Sequence, residues 1–292
     1  GLPALLKALE WKTEVTEQHA ILAARALSTI KVPAAERSKV TAKLAEALDR
    51  VSGNRGADRR MRMGFITALG KIGDPAGLPA LTAAALRRSE EQPFPINEMA
   101  VKEIGRIADP SSVPALIEAI YVADPMNPRG RLNQVAPAAL VRIGKPAFDP
   151  LLATLRGENE RANVLAGELV DAHRKRNPNL FPTQEERDQA VRDEVVREAA
   201  HALGKLGMDE AFEPLMKLAT DKDKDLGIRL GASVGLVSLP LLGSGQAEQV
   251  AELLQSLYPE QPKMQRPQLL SAMKNLHSGS VQKFLLEVAK TD

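Results

Sequence analysis

The sequence predicts an all-α protein built as a stack of helix–turn–helix modules. Three observations carry this. First, four stretches nearly repeat one another. Ala68-Leu69-Gly70-Lys71-Ile72-Gly73-Asp74-Pro75 leads to Leu78-Pro79-Ala80-Leu81, and Glu103-Ile104-Gly105-Arg106-Ile107-Ala108-Asp109-Pro110 leads to Val113-Pro114-Ala115-Leu116. Leu140-Val141-Arg142-Ile143-Gly144-Lys145-Pro146 leads to Asp149-Pro150-Leu151-Leu152, and Ala202-Leu203-Gly204-Lys205-Leu206-Gly207 leads to Glu213-Pro214-Leu215. Second, the copies keep step. Ile72 to Ile107 is 35 residues and Ile107 to Ile143 is 36, so each copy is one module of a repeat array. Third, aromatics make up only 3% of a chain that is 44% hydrophobic, so the core is built of Ala, Leu, Val and Ile. Small side chains of that kind suit closely packed helices.

The module grammar follows from local chemistry. Phe65, Ile66, Leu69 and Ile72 recur at helical spacing. Gly73 closes that first helix because glycine adopts the left-handed conformation freely. Asp74-Pro75 makes the turn, with Asp as cap and Pro as helix breaker. Leu78, Leu81 and Leu86 rebuild an apolar face on a second helix, and Pro79 falls in its first turn.

Taken in order, Leu2-Pro3-Ala4-Leu5-Leu6 matches Leu78-Pro79-Ala80-Leu81, so the chain is expected to begin mid-module as a piece of a longer protein. Ala20 to Leu48 is a looser module with its turn near Pro33. The four clear copies follow. From Ile143 to Leu206 the step is 63 residues, nearly twice the period, which predicts an insertion over 158–187 with an additional helix from Arg161 to Arg176. Leu226 to Leu257 and Gln268 to Lys290 complete about seven modules, read as a single domain over 1–292. Gly227, Gly231 and Gly235 recur every four residues and are expected to let neighbouring helices approach.

The stretch Asp193-Glu194-Val195-Val196-Arg197-Glu198-Ala199-Ala200-His201-Ala202-Leu203-Gly204-Lys205-Leu206-Gly207 resembles the HEAT repeat, most of all its short bacterial PBS-lyase-like variety. Asp225, Ile228-Arg229 and Ala232 match the first half of that pattern. Ala68 to Gly73 and Ile104 to Asp109 match the second. The resemblance covers almost the whole chain except Asn159 to Gln184. It implies an α-α superhelix, a right-handed solenoid whose second helices line the concave side. It implies no shared chemistry, because such repeats are a scaffold carrying many functions.

Composition excludes several chemistries. There is no cysteine, which removes disulfides, thiolate metal sites and cysteine nucleophiles. The balance of 39 basic and 37 acidic residues is no nucleic-acid footprint. HEAT-like DNA glycosylases share the architecture, but Trp11 is the only tryptophan and the expected concave helices, Pro79 to Leu86 and Val113 to Ile120, are neutral. Both facts argue against a nucleic-acid partner. The PBS-lyase resemblance also evokes phycobilin lyases, which attach bilins to antenna proteins, yet no residue constellation marks a tetrapyrrole site.

No catalytic set emerges. His19, His173, His201 and His277 fall in different modules, without metal-ligand spacing. Asp221-Lys222-Asp223-Lys224-Asp225 opens like a calcium loop but has Leu226 and Ala232 where Gly and Glu are needed, so these charges are read as starting the next helix. No phosphate loop or nucleophile elbow is present. The chain is therefore expected to be a non-enzymatic scaffold, without catalytic, cofactor-binding or metal-binding residues and without a cofactor, that binds another protein through its concave face or its between-repeat loop edge. A PBS-lyase-like enzyme or cofactor-handling protein is the alternative, and needs polar groups converging in the concave groove. A nucleic-acid-binding protein is the other alternative.

Two surfaces are candidates. Connections between modules are long and lie along one edge of a solenoid, where Phe94, Met126, Arg129 and Phe181 are candidate partner anchors. Arg55, Arg59, Arg60 and Arg62 surround Ser52-Gly53-Asn54-Arg55-Gly56 as a candidate anion site. Arg174-Lys175-Arg176 is a smaller basic cluster. The compartment is open between cytoplasm and periplasm. The most apolar stretch, Leu226 to Leu242, holds Arg229 and Pro240 and is no membrane span.

Overall fold

The computed structural model describes residues 1–87, 92–124, 127, 130–239, 243–263, 266–274, 276 and 278–291. Met126, Arg129 and His277 lie outside the described residues. Among the described residues the chain is all α, with no strand beyond one isolated bridge between Ala123 and Arg131. It divides into two compact units, Gly1–Ala147 and Phe148–Asp292.

The first unit holds α1 (Leu2–Ala8), α2 (Glu14–Leu27), α3 (Ala34–Asp49), α4 (Gly56–Ile72), α5 (Leu78–Leu86), α6 (Phe94–Ile107), α7 (Val113–Ile120) and α8 (Val135–Ile143). The first helices α2, α4, α6 and α8 pack in a row, and each second helix, α3, α5 and α7, lies against the first helix that follows it. The core is aliphatic: Leu44, Ile66, Leu69, Leu81, Ile104 and Leu116 are fully buried. Each such side chain contributes roughly 1.5–3 kcal/mol on burial. Trp11 stacks on Phe65, with ring centroids 5.6 Å apart, and the Arg50 guanidinium also lies over the Trp11 ring.

The turns form as the sequence implies. Gly73, Gly144 and Gly207 all take positive φ, at 72°, 76° and 71°. Ala108 holds the same place at φ 55°, so a Cβ sits where the other copies have none. Asp74 Oδ1 accepts the Ala76 N–H at 3.0 Å and Asp109 Oδ1 accepts that of Ser111 at 2.9 Å, each opening a short 3-10 turn. The turn then runs straight into the second helix.

The second unit holds α9 (Phe148–Leu155), α10 (Glu160–Arg176), α11 (Gln184–Leu206), α12 (Phe212–Thr220), α13 (Leu226–Val237), α14 (Ser244–Leu257), α15 (Arg266–Met273) and α16 (Gly279–Thr291). The inserted helix begins where the sequence implies. The helix that follows, α11, runs unbroken for 23 residues from Gln184, across the expected end of the insertion at residue 187. Thr183 and Glu186 start it with reciprocal capping bonds of 3.2 and 3.0 Å, and no Pro interrupts it afterwards. The α11–α13 contact is the tightest in this unit. A Cβ on Gly235 would sit 2.5 Å from the Ala200 carbonyl oxygen, and one on Gly204 would strike that of Gly235. The glycine spacing thus serves helix approach, as expected.

Candidate functional site

The ends of the second helices show where a site opens. In the first unit a polar residue on the next first helix ties down the ends of α3 and α5. Arg62, on α4 and 1% exposed, donates to the carbonyl of Val51 just beyond α3 at 2.8 Å. Asn97, on α6 and 1% exposed, donates to the carbonyls of Ala85 and Arg87 at the end of α5, at 2.9 and 2.7 Å. Both stand eleven residues before the left-handed turn residue, Gly73 and Ala108 respectively. These bonds satisfy carbonyls that a helix end leaves without partners.

Eleven residues before Gly207 stands Val196, which has no side-chain donor. The end of α9 is held instead from the inserted helix. Asn159 Nδ2 donates to Thr154 Oγ1 at 3.1 Å, and Asn163 Nδ2 donates to the Gly157 carbonyl at 3.0 Å. Gly157 itself turns with φ 79°. Relieved of that task, the matching face of α11 opens onto a cleft of about 650 Å³ between α9 and α12.

Leu152, Leu155, Val195, Val196, Leu218 and Ile228 form its apolar floor. Arg156, Arg192, Lys217 and Lys224 line its rim, with Glu213 and Asp221. Arg192 donates to Gln189 Oε1 at 3.0 Å. Arg156, Lys217 and Lys224 make no ion pair among the described residues. Asp221 Oδ1 accepts the Asp223 N–H at 3.0 Å, a local turn and not a calcium loop. Asp225 stands at the N-cap of α13, where the next helix starts, but its side chain makes no capping bond.

Two titratable groups on α11 stand apart from the cleft lining. Burial pushes the His201 imidazole down, with Lys205 adding to the effect, and neither ring nitrogen has a hydrogen-bond partner. Burial pushes the Asp193 carboxyl up, opposed by a hydrogen bond from Gln189 at 2.8 Å. No described group of three His, Asp or Glu residues is placed to hold a metal.

The residues singled out from sequence fare unevenly. Phe94 is 7% exposed in the first turn of α6, so it is a core side chain and not a surface anchor. Its place between modules looked like a loop position. Phe181 is half-buried at φ 53° in the connection between α10 and α11. The four arginines around Gly53 do not form one anion site. Arg62 is buried on Val51, Arg55 pairs with Glu17 at 2.7 Å and Asp58 at 3.1 Å, and Arg59 binds Asn54 at 3.1 Å. Their charges hold the loop onto α2 and α4, leaving exposed Arg60 outside that network. The cleft itself was not singled out. Its signal was the unusual apolar Val196 at a repeat position where other copies carry Arg62 or Asn97.

Comparisons with known proteins agree with this architecture. A family model described as the PBS lyase HEAT-like repeat matches residues 61–87 and 195–221, so the chain carries HEAT repeats of that kind. No curated protein matches the chain in sequence. Among solved structures it is similar to the complex of CpcE and CpcF of phycocyanin lyase from Nostoc sp., at 20% identity over 88% of this chain and 94% of that one, with a TM-score of 0.38. It is similar also to human deoxyhypusine hydroxylase in complex with glycerol, at 15% identity over 94% of this chain and 95% of that one, with a TM-score of 0.34. Both are enzymes, and the matched repeat is named for a lyase. The match to a repeat named for a lyase counts against the expectation that the chain is not an enzyme. Among the described residues no helix is long and apolar enough to cross a membrane.

Proposed function

We propose that this HEAT-repeat protein recognises another protein, and that the cleft of its second unit receives a segment of that partner. The observation that carries the reading is the cleft itself. An apolar floor, half-buried at Leu152 and Leu218, is bordered by basic side chains that make no ion pair among the described residues. Such a floor gains free energy when a partner's side chain displaces water from it, and the charged rim fixes orientation. Phe181 remains a candidate anchor on the edge between repeats, with Met126 and Arg129.

A second reading rests on the same volume. About 650 Å³ lies within the range of small-molecule sites. Polar groups also converge on the cleft, which supports a cofactor-handling role. In that reading the cleft holds an apolar molecule bearing anionic groups, in keeping with a lyase-related repeat.

A photo-crosslinking amino acid at position 217, introduced into the chain in its native cells, separates the readings. The outer-face position 22, where Leu22 is 60% exposed, is the control. A protein adduct from 217 and not from 22 supports partner recognition. A small-molecule adduct supports the second reading. Equal adducts from both positions, or none, sink the first.

A further inference from the structure

We infer that the segment received by the cleft is acidic, with carboxylates flanking one or two large apolar side chains. The inference rests on the protein-recognition reading and names the chemistry of the partner.

The charges of the rim are uneven in kind as well as number. Both acids have local work. Glu213 sits in the first turn of α12, where a carboxylate meets the positive end of the helix dipole. Asp221 is engaged by the Asp223 amide. The bases are less accounted for. Lys217 lies in the last turn of α12 and Arg156 follows α9, so dipole complementarity covers part of their placement. It does not cover Arg192, in the middle of α11, or Lys224, in the turn before α13. Four cations from four separate segments converge on one apolar floor.

The whole chain carries a formal charge of only +2, so this local excess is no by-product of a basic protein. A rim with four cations against two acids, above low-dielectric walls, carries a net positive field that favours carboxylates. The floor supplies the second requirement. Leu152 and Leu218 are half-buried, so their apolar surface is available to an anchor. A neutral peptide would leave the cations without partners. A purely acidic one would leave the floor wet.

A peptide library displayed on phage and panned against the whole chain tests this. Counter-selection uses the Lys217→Glu/Lys224→Glu variant, whose two positions are exposed. Its thermal melting should match the parent. Enriched sequences should carry several Asp or Glu around Leu, Ile or Phe. A synthetic peptide of that sequence should lose at least tenfold in affinity on the double reversal and weaken steadily with salt. Replacing its carboxylates by lysines should restore binding to the reversed variant. Neutral or basic enriched sequences, indifference to the reversal, or no enrichment would overturn the inference. So would competition by a single-stranded oligonucleotide as effective as the peptide, because charge alone would then be read. A protein crosslink from position 217 alongside neutral peptides leaves the docking reading standing while this one falls. The absence of that crosslink removes the docking reading itself.

Discussion

The two units solve the same problem in different ways. Each second helix ends in carbonyls that need donors. In the first unit the donors are Arg62 and Asn97, both buried on the following first helix. In the second unit Arg229 on α13 holds the end of α12 in the same manner, through the Ala219 carbonyl. The end of α9, however, is served by Asn159, on the Thr154 hydroxyl, and Asn163, on the Gly157 carbonyl, from a helix the other modules lack. The first arrangement seals the stack. The second frees a face of α11 and leaves a cleft. The difference teaches that an insertion in a repeat array can create a site by removing a structural duty from its neighbour.

The largest effect is expected where backbone meets backbone. Gly204→Ala drives a Cβ into the carbonyl of Gly235, a partner that cannot rotate away. The expected cost is about 3 kcal/mol, the upper end for overpacking. Gly64→Ala in the first unit meets only the Ala24 Cβ at 3.2 Å. Its small packing cost is set against better helix propensity, so it should lie within about 1 kcal/mol of the parent. Urea unfolding of both variants checks the ranking. Equal costs would mean that the two rows of first helices are packed alike.

Next come the ties themselves. Asn97→Ala removes two bonds to carbonyls and one accepted from Gln92, and should cost about 2 kcal/mol. Asn163→Ala removes one solvent-accessible bond and should cost roughly 0.5 kcal/mol. The second variant should still loosen Arg156 and Gly157 at the cleft mouth, read as faster amide exchange there with little change in global stability. If Asn163→Ala proved as costly as Asn97→Ala, the inserted helix would be a core element and the contrast between the units would fail.

Much of this was legible in the sequence, and what was not has a physical reason. Gly73, Asp74 and Pro75 announce their turn because each acts through its own backbone. The glycines at 227, 231 and 235 announce a close approach because no other residue permits it. Phe94 misled because a residue in a long connection gives no sign that it starts a helix and turns inward. The arginines around Gly53 misled for a related reason: Glu17, 38 residues away from Arg55, neutralises a cluster that looks free in sequence. The cleft was hidden because it is made of an absence. Val196 reads as ordinary helix core until its copies are laid against Arg62 and Asn97.

A smaller effect separates the turns. Ala108 is held at φ 55° where the other copies place glycine. Left-handed backbone costs an L-residue about 1–2 kcal/mol, offset in part by the greater freedom glycine has when unfolded. Ala108→Gly should therefore stabilise the first unit by about 0.5–1 kcal/mol, and Gly207→Ala should destabilise the second by a similar amount. Thermal melting of the pair should move in opposite directions. Movement in the same direction would show that the two turns are not equivalent.

The smallest effect concerns how the inserted helix is fastened. Arg187 on α11 grips Asp171 on α10 through two bonds of 2.9 and 2.8 Å. That guanidinium holds the Asp171 carboxyl below its usual range, despite partial burial that works the other way. The folded value is thus lower than the unfolded one, so the pair's contribution is complete above the ordinary carboxylate range and is lost as pH falls through the folded value. The Asp171 side chain is 44% exposed, so solvent screens the pair and its worth is well under about 1 kcal/mol. The effect should appear in α10 alone: amide exchange there, corrected for its intrinsic rate, should quicken as pH drops below about 4, while α4 and α6 keep their protection. Asp171→Asn should bring the same loosening at neutral pH and abolish its acid dependence. An α10 equally protected at both pH values in parent and variant would mean that packing on α11, and not this ion pair, holds the wall of the cleft in place.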